Sequence, residues 1–264
     1  MTNFSIENYN FSYGSNQILS EVNFNEIPKG KLVGLLGANG VGKSSFLRSI
    51  AGLETYTGSV KLDGKELQDQ SMYKRMQLVG YMPQTLPQAT SLTAYESVFS
   101  ACRAVRPDLT RQAVENRIED VFATLGIRQL AFKTLARMSG GQRQMVGLAQ
   151  VIVKKPDLLL LDEPTSALDL RWQISVFNVV KQMLLNSQSI CITALHDINL
   201  AMRHCDYIAL FAKGKLLSFG TPTDAINSTN LDLAYGVAAS VETSQAGYPF
   251  AVINGVTNEQ RNQT

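Results

Sequence analysis

Gly37-Ala38-Asn39-Gly40-Val41-Gly42-Lys43-Ser44 brings three glycines, a lysine and a hydroxyl into one short stretch. Glycines of this kind let backbone N–H groups converge on the β- and γ-phosphates of a nucleotide at a helix N-terminus. Lys43 supplies a point charge there, and the Ser44 hydroxyl can reach Mg²⁺. The flanking residues fit: Lys31 to Gly37 reads as a buried strand, and Lys43 to Ala51 as a helix with Phe46, Leu47, Ile50 and Ala51 inward and Gly52 as its stop. Ser45, next in line, belongs to the same phosphate-contacting group. Such a loop alone suits a kinase, a GTPase or a helicase.

Two further groups narrow the chemistry. The apolar run Leu158 to Leu161 carries Asp162 to the carboxyl end of a buried strand, where ligands of open α/β sheets gather, so this acid can meet the same Mg²⁺. Glu163 follows directly and is placed to orient or deprotonate an attacking water. Upstream, Ser139-Gly140-Gly141-Gln142 offers exposed backbone N–H groups, a hydroxyl and the positive end of a following helix, all suited to an anion. Taken by itself this tetrapeptide also suits a plain helix N-cap.

Together the three pieces resemble the ATP-binding cassette (ABC) ATPases, and the resemblance runs over almost the whole chain, with Met138 where leucine is commoner. It implies ATP and Mg²⁺ as ligands, with Ser44, Gln84 and Asp162 at the metal and Glu163, His196 and Gln84 as catalytic groups. Gln84, in Tyr81-Met82-Pro83-Gln84, matches a glutamine that also lies near a transmembrane partner. Tyr13 sits where an aromatic ring stacks on adenine, with a strand tyrosine that meets no ligand as the alternative. His196, after the run Ile190 to Leu195, matches the switch histidine of the γ-phosphate; His204 matches nothing and reads as an ordinary surface or packed histidine. Ser166-Ala167-Leu168-Asp169 matches the loop that passes between two cassettes, with Asp169 as the contact. In this family the signature serves a second copy, so each site takes Lys43, Ser44, Gln84, Asp162, Glu163 and His196 from one chain and Ser139 and Gly141 from the other.

Leu168 to Gln173, Leu195 to Ala201 and Lys213-Gly214-Lys215 through Gly220-Thr221-Pro222 resemble ATPases of bacterial importers for iron-siderophores, haem and vitamin B12. That resemblance implies a separate permease dimer in the membrane, a soluble substrate-binding protein, and a peripheral place on the cytoplasmic face of the inner membrane. Iron(III)-siderophore is the expected cargo, with haem and vitamin B12 as alternatives. The chain departs from that pattern at Ser100-Ala101-Cys102-Arg103, where a glycine-arginine pair is usual, and at Met145 and Gln150, often basic positions. A soluble ABC ATPase of DNA repair or translation is the rival class, but those need a long coiled-coil insertion or a second cassette.

The elements that must position these residues follow from periodicity. Phe4, Ile6, then Phe11 and Tyr13, and Val22 with Phe24, alternate as half-buried antiparallel strands do; Val60 and Leu62 repeat the pattern before the turn Asp63-Gly64. The expected fold class is α/β, a RecA-like core (31–54 and 155–220) with an antiparallel β lobe (1–30 and 55–80) and a helical lobe (85–150) in one cassette domain. Val114, Ile118, Val121, Phe122 and Leu125 share one helical face in that lobe, and Gly126 ends it. Trp172 to Leu185 reads as a crossover helix between the parallel strands Leu158 to Leu161 and Ser189 to Leu195. Ile208 to Phe211 and Leu216 to Phe219 bracket Lys213-Gly214 as a hairpin, and Thr221-Pro222-Thr223-Asp224 starts a short helix in a C-terminal extension (221–264) whose last residues turn polar and fray.

Bulk properties exclude little else. With 264 residues, 45% of them hydrophobic and 17% charged, the chain can bury a full core. A net charge of +2 lacks the basic excess of a nucleic-acid binder. Cys102, Cys191 and Cys205 have no metal-ligand spacing and read as small buried hydrophobes. Met1 to Glu7 shows neither the basic start nor the apolar core of a secretory signal, and no apolar stretch reaches membrane-spanning length.

Overall fold

Buried positions in the first strand change parity partway along. In β1 (Asn3–Tyr13) the inward residues are Phe4 and Ile6, then Tyr9 and Phe11. A bulge at Asn8, whose φ is 50°, makes the switch; asparagine tolerates that backbone region better than most residues. The computed structural model describes residues 3–85, 87–166 and 168–257, so Ala167 of the expected inter-cassette loop and the polar tail 258–264 lie outside the described residues.

The strand β1 pairs antiparallel with β2 (Asn16–Pro28) and later with β4 (Thr57–Leu62), which turns through Asp63-Gly64 into β5 (Lys65–Glu66). Inserted between them are β3 (Leu32–Leu36) and α1 (Lys43–Ala51), which ends at Gly52 in a left-handed cap. The four-stranded flanking sheet has the order β2-β1-β4-β5 and is antiparallel throughout, in keeping with its alternating pattern.

Chain order continues through α2 (Met72–Leu78), β6 (Val79–Met82), α3 (Ala94–Val105), α4 (Arg111–Leu125), two 3₁₀ turns at Arg128–Leu130 and Leu135–Arg137, and α5 (Gly140–Ile152). Then come β7 (Leu158–Asp162), α6 (Leu170–Ser187), β8 (Ile190–Ala194), α7 (Ile198–His204), β9 (Tyr207–Ala212) and β10 (Lys215–Gly220). The second sheet has the order β10-β9-β3-β8-β7-β6, parallel except for the β9–β10 hairpin. Residues 79–80, expected in the flanking lobe, are therefore the start of this core sheet's edge strand, and α2 precedes them.

Both faces of this sheet are covered, which explains the unbroken leucine run. Leu158 and Leu160 face α1 and the flanking sheet, together with Val33 and Leu35. Leu159 and Leu161, with Leu32 and Leu36, face the opposite cluster formed with α5, α6 and α7. Phe46 of α1 packs its ring edge-on against Tyr9 at 5.1 Å and lies 5.9 Å from Phe211, locking the phosphate-loop helix between the two sheets. At the far end of α1, buried Arg75 from α2 donates to the carbonyls of Ser49 and Ile50, complementing the negative helix end.

Gly80 lets α5 approach the edge strand. A Cβ there would meet Val151 Cγ1 at 2.6 Å and Pro156 Cγ at 2.8 Å, too close for any side chain. Of the two departures after the signature, Met145 is buried in the core, where an unpaired charge would be costly, and half-buried Gln150 bonds Ser97 of α3. All three cysteines are buried and unpaired. Among the described residues no helix is long and apolar enough to cross a membrane.

The remaining elements are α8 (Pro222–Ala225), α9 (Ser228–Tyr235) and the hairpin β11 (Val237–Thr243) with β12 (Pro249–Val256). Thr221 Oγ1 donates to Asp224 Oδ2 at 2.5 Å across the first turn of α8.

Candidate nucleotide site

Strand β3 ends at Leu36, and the glycine loop leads from it into α1 with Gly37, Gly40 and Gly42 all at positive φ. No larger residue fits at Gly37, whose Cβ would sit 2.5 Å from the Phe211 carbonyl oxygen. Lys43 is buried to 6% exposure, and its Nζ donates to the carbonyls of Gly37 at 2.6 Å and Ala38 at 3.2 Å. Burial lowers the Lys43 pKa, while Glu163 and Asp162 nearby favour its charged form.

Asp162 stands at the carboxyl end of β7, buried, and accepts from Ser44 Oγ at 2.9 Å and from Tyr81 OH at 3.3 Å. Burial lifts its pKa above the ordinary aspartate value and the Ser44 bond opposes the lift; Glu163 next to it raises it further. Two hard oxygens this close, one a carboxylate, suit Mg²⁺, which takes few protein ligands and completes its octahedron with phosphates and water. Ser44 and Asp162, with Gln84 across the cleft as the third expected donor, are the groups that would hold such an ion.

Glu163 has its backbone in the left-handed region at φ 51°, held by its N–H to Ala194 O and by Gln144 Nε2 donating to its own carbonyl at 3.4 Å. This turn lifts its carboxylate away from the sheet and toward the glycine loop. One carboxylate oxygen accepts from Gln84 Nε2 at 2.7 Å, and the other contacts His196 Nε2. With the Gln84 amide so oriented, its Oε1 is the atom free to face a cation. The resulting cleft, of about 310 Å³, is lined by Asn39, Gly40, Gly42, Lys43, Ser44, Ser45, Gln84, Glu163 and His196.

Tyr13 is brought alongside, 46% exposed, its ring edge-on to Phe11 at 4.8 Å and its hydroxyl 3.5 Å from Ser45 Oγ. The signature is not brought in. Ser139 caps α5 by accepting from the Gln142 N–H at 3.3 Å, while Gln142 returns a bond to the Ser139 N–H, a capping box that leaves Gly140 and Gly141 at the helix tip. Lys133 Nζ adds a bond to Gln142 Oε1 at 2.9 Å. Asp169 likewise caps α6 and lines no part of the cleft.

Sequence reading missed Tyr81, Gln144 and Lys133. Tyr81 lay inside the quoted Tyr81-Met82-Pro83-Gln84 stretch, and Gln144, buried two residues past the signature, carried a signal as a polar residue on an apolar helix face. Lys133 carried none. His204 is buried and stacks on Phe177 at 4.5 Å, the packed alternative of its two expected readings.

A strand, glycine loop and helix facing a strand-end Asp-Glu pair define a P-loop nucleoside triphosphatase. The family described as ABC transporter matches residues 19–166, and the chain belongs to that family, whose cassettes bind ATP. It is 32% identical to a hemin import ATP-binding protein of Bordetella avium, covering 86% of this chain and 90% of that protein. It is 29% identical to an iron(3+)-hydroxamate import ATP-binding protein of Bacillus subtilis, over 92% of this chain and 91% of the other. A solved inward-facing metal-chelate type ABC transporter shares the fold with a TM-score of 0.79 at 23% identity, covering 96% of this chain and 98% of that one.

Proposed function

We propose that this chain is the ATP-hydrolysing subunit of an importer for an iron chelate, with iron(III)-siderophore as cargo. The observation that carries the enzymatic part is Glu163: its carboxylate is held by Gln84 and His196 at the rim of the cleft that also contains Lys43 and Ser44. In that place it accepts the proton of a water attacking the γ-phosphate, while the loop amides and Lys43 hold the phosphates and His196 steadies the terminal one. Mg²⁺, when bound at Ser44 and Asp162, neutralises developing charge on the phosphate oxygens. Tyr13 stacks on the adenine.

Two copies complete two sites. Ser139 and Gly141, with the N-terminus of α5 behind them, close over the γ-phosphate held by the partner chain, and Asp169 contacts across the same interface. ATP binding draws the copies together and hydrolysis parts them. A membrane permease reads the two states, and a binding protein delivers the cargo to it. The peripheral site on the cytoplasmic face of the membrane follows from that assembly.

The cargo rests on the likeness to the hydroxamate-import protein; the hemin-import protein, at 32% identity, favours haem as the second reading. Phosphate release from ATP by the purified chain tests the enzyme. Deletion followed by growth on defined iron sources tests the cargo, and unchanged use of siderophores rejects it.

A further inference from the structure

The C-terminal extension touches the nucleotide site at a point that no motif marks. Tyr235, the last residue of α9, has its phenol oxygen 2.8 Å from the backbone nitrogen of Gly37, the first residue of the glycine loop. Beyond β3 that N–H has left the strand ladder, and Tyr235 is its acceptor. The carbonyl of the same residue accepts from Lys43 Nζ, so Gly37 is held on one side by the extension and on the other by the phosphate lysine. Burial pushes the Tyr235 phenol up to about 12, which keeps the oxygen neutral at working pH.

At its other end the extension grips α7. Asn199 Oδ1 accepts from the Ala251 N–H at 2.7 Å, and Asn199 Nδ2 donates to the Ala251 carbonyl at 3.2 Å, pairing the side chain with β12 as a strand would. Helix α7 begins immediately after His196, with Asp197 as its N-cap. Within the extension, Thr257 closes α9 onto β12 through its N–H to Gly236 O and its hydroxyl to Asp232 Oδ1. One body therefore holds the start of the phosphate loop and the helix that follows His196.

We infer that Tyr235 is a positioning residue for the phosphate loop, and that Asn199 ties the His196 helix to the same C-terminal body. This rests on the ATP-site reading above. Losing the hydroxyl leaves a loop amide without an acceptor and lets Gly37 drift, which weakens the grip on phosphate. Losing the Asn199 pair frees α7 and with it His196, which slows turnover without weakening binding.

The test uses the full chain, ATP and calorimetric titration, together with steady-state hydrolysis. Tyr235→Phe keeps the ring and removes one hydrogen bond, so its Kd for ATP rises about five- to tenfold with kcat at saturation little changed. Asn199→Ala gives the opposite split, a lower kcat at an unchanged Kd, and Asn199→Asp, which keeps the accepting half of the pair, falls between it and wild type. An unaltered Kd in Tyr235→Phe overturns the inference, as does a pair of variants that shift only the melting temperature. A wild-type chain that fails to bind ATP overturns the function itself and is read before either variant.

Discussion

The Gln84 side-chain amide donates to Glu163 Oε2 at 2.7 Å, joining two residues 79 positions apart. Gln84 lies just past edge strand β6, where the chain leaves the core sheet for the helical lobe, and Glu163 lies just past β7, its neighbour in that sheet. With His196 on the other oxygen, the carboxylate is aimed by groups from two other segments, one after β6 and one after β8.

Glu163→Gln keeps the side-chain volume and removes the proton acceptor. Hydrolysis falls by roughly 10²- to 10⁴-fold, a range set by general-base catalysis, while ATP binding persists and a closed dimer accumulates. Phosphate release and size-exclusion chromatography in ATP check both halves; full activity in the variant removes Glu163 from the mechanism.

Ser139→Ala leaves the cleft of its own chain intact, because Ser139 does not line it. Binding of ATP to isolated chains stays near wild type and hydrolysis drops. Helix α5 also loses its cap, at about 1 kcal/mol of stability, read by denaturant melting. Loss of binding in the isolated chain contradicts a site shared between copies.

Removing divalent cation with a chelator abolishes hydrolysis, and Asp162→Asn does the same with Mg²⁺ present. Burial raises the Asp162 carboxyl, so the group becomes protonated at a higher pH than an ordinary aspartate. Protons compete with Mg²⁺ for this carboxylate, so on acidification more Mg²⁺ is needed to reach the half-maximal rate. Hydrolysis indifferent to chelation refutes the pairing of Ser44 and Asp162 at a metal.

His204 tests the fold rather than the site. Burial, with Lys181 and Arg203 nearby, lowers its pKa from 6.5 to about 4, so the unfolded chain takes up the proton more readily than the folded one. Its contribution to stability is intact above about 6.5 and is lost as pH falls toward 4, with a slope of at most about 1.4 kcal/mol per pH unit. Thermal melts across that window show a shallower loss for His204→Leu; an identical slope excludes His204 as a source.

Much of this was legible in sequence because the strongest signals were local. Lys43 to Ala51 with its Gly52 stop, and the leucine run before Asp162, declare their element within a few residues. The edge strand β6 does not: Val79-Gly80-Tyr81-Met82 is short, holds a glycine and shows no alternation, so only its first two residues fall within an expected lobe, and that the wrong one. The helix α2 shows the same lack of period, whereas β11 does alternate, with Val237, Ala239 and Val241 against the core, a signal the sequence analysis does not use. Tyr235 was invisible for another reason, since its partner Gly37 is 198 residues away and a lone tyrosine before a glycine reads as a helix end.

Gly80 brings the signature helix against the core sheet. A Cβ there would meet Val151 Cγ1 near the C-terminal end of α5, and Ser139 caps the opposite end, about 18 Å away at the rise of an α-helix. Between those ends Met145, Val146, Leu148 and Ala149 are buried in the core. A side chain at position 80 would therefore displace the whole helix, its Ser139 tip included, and not the near end alone.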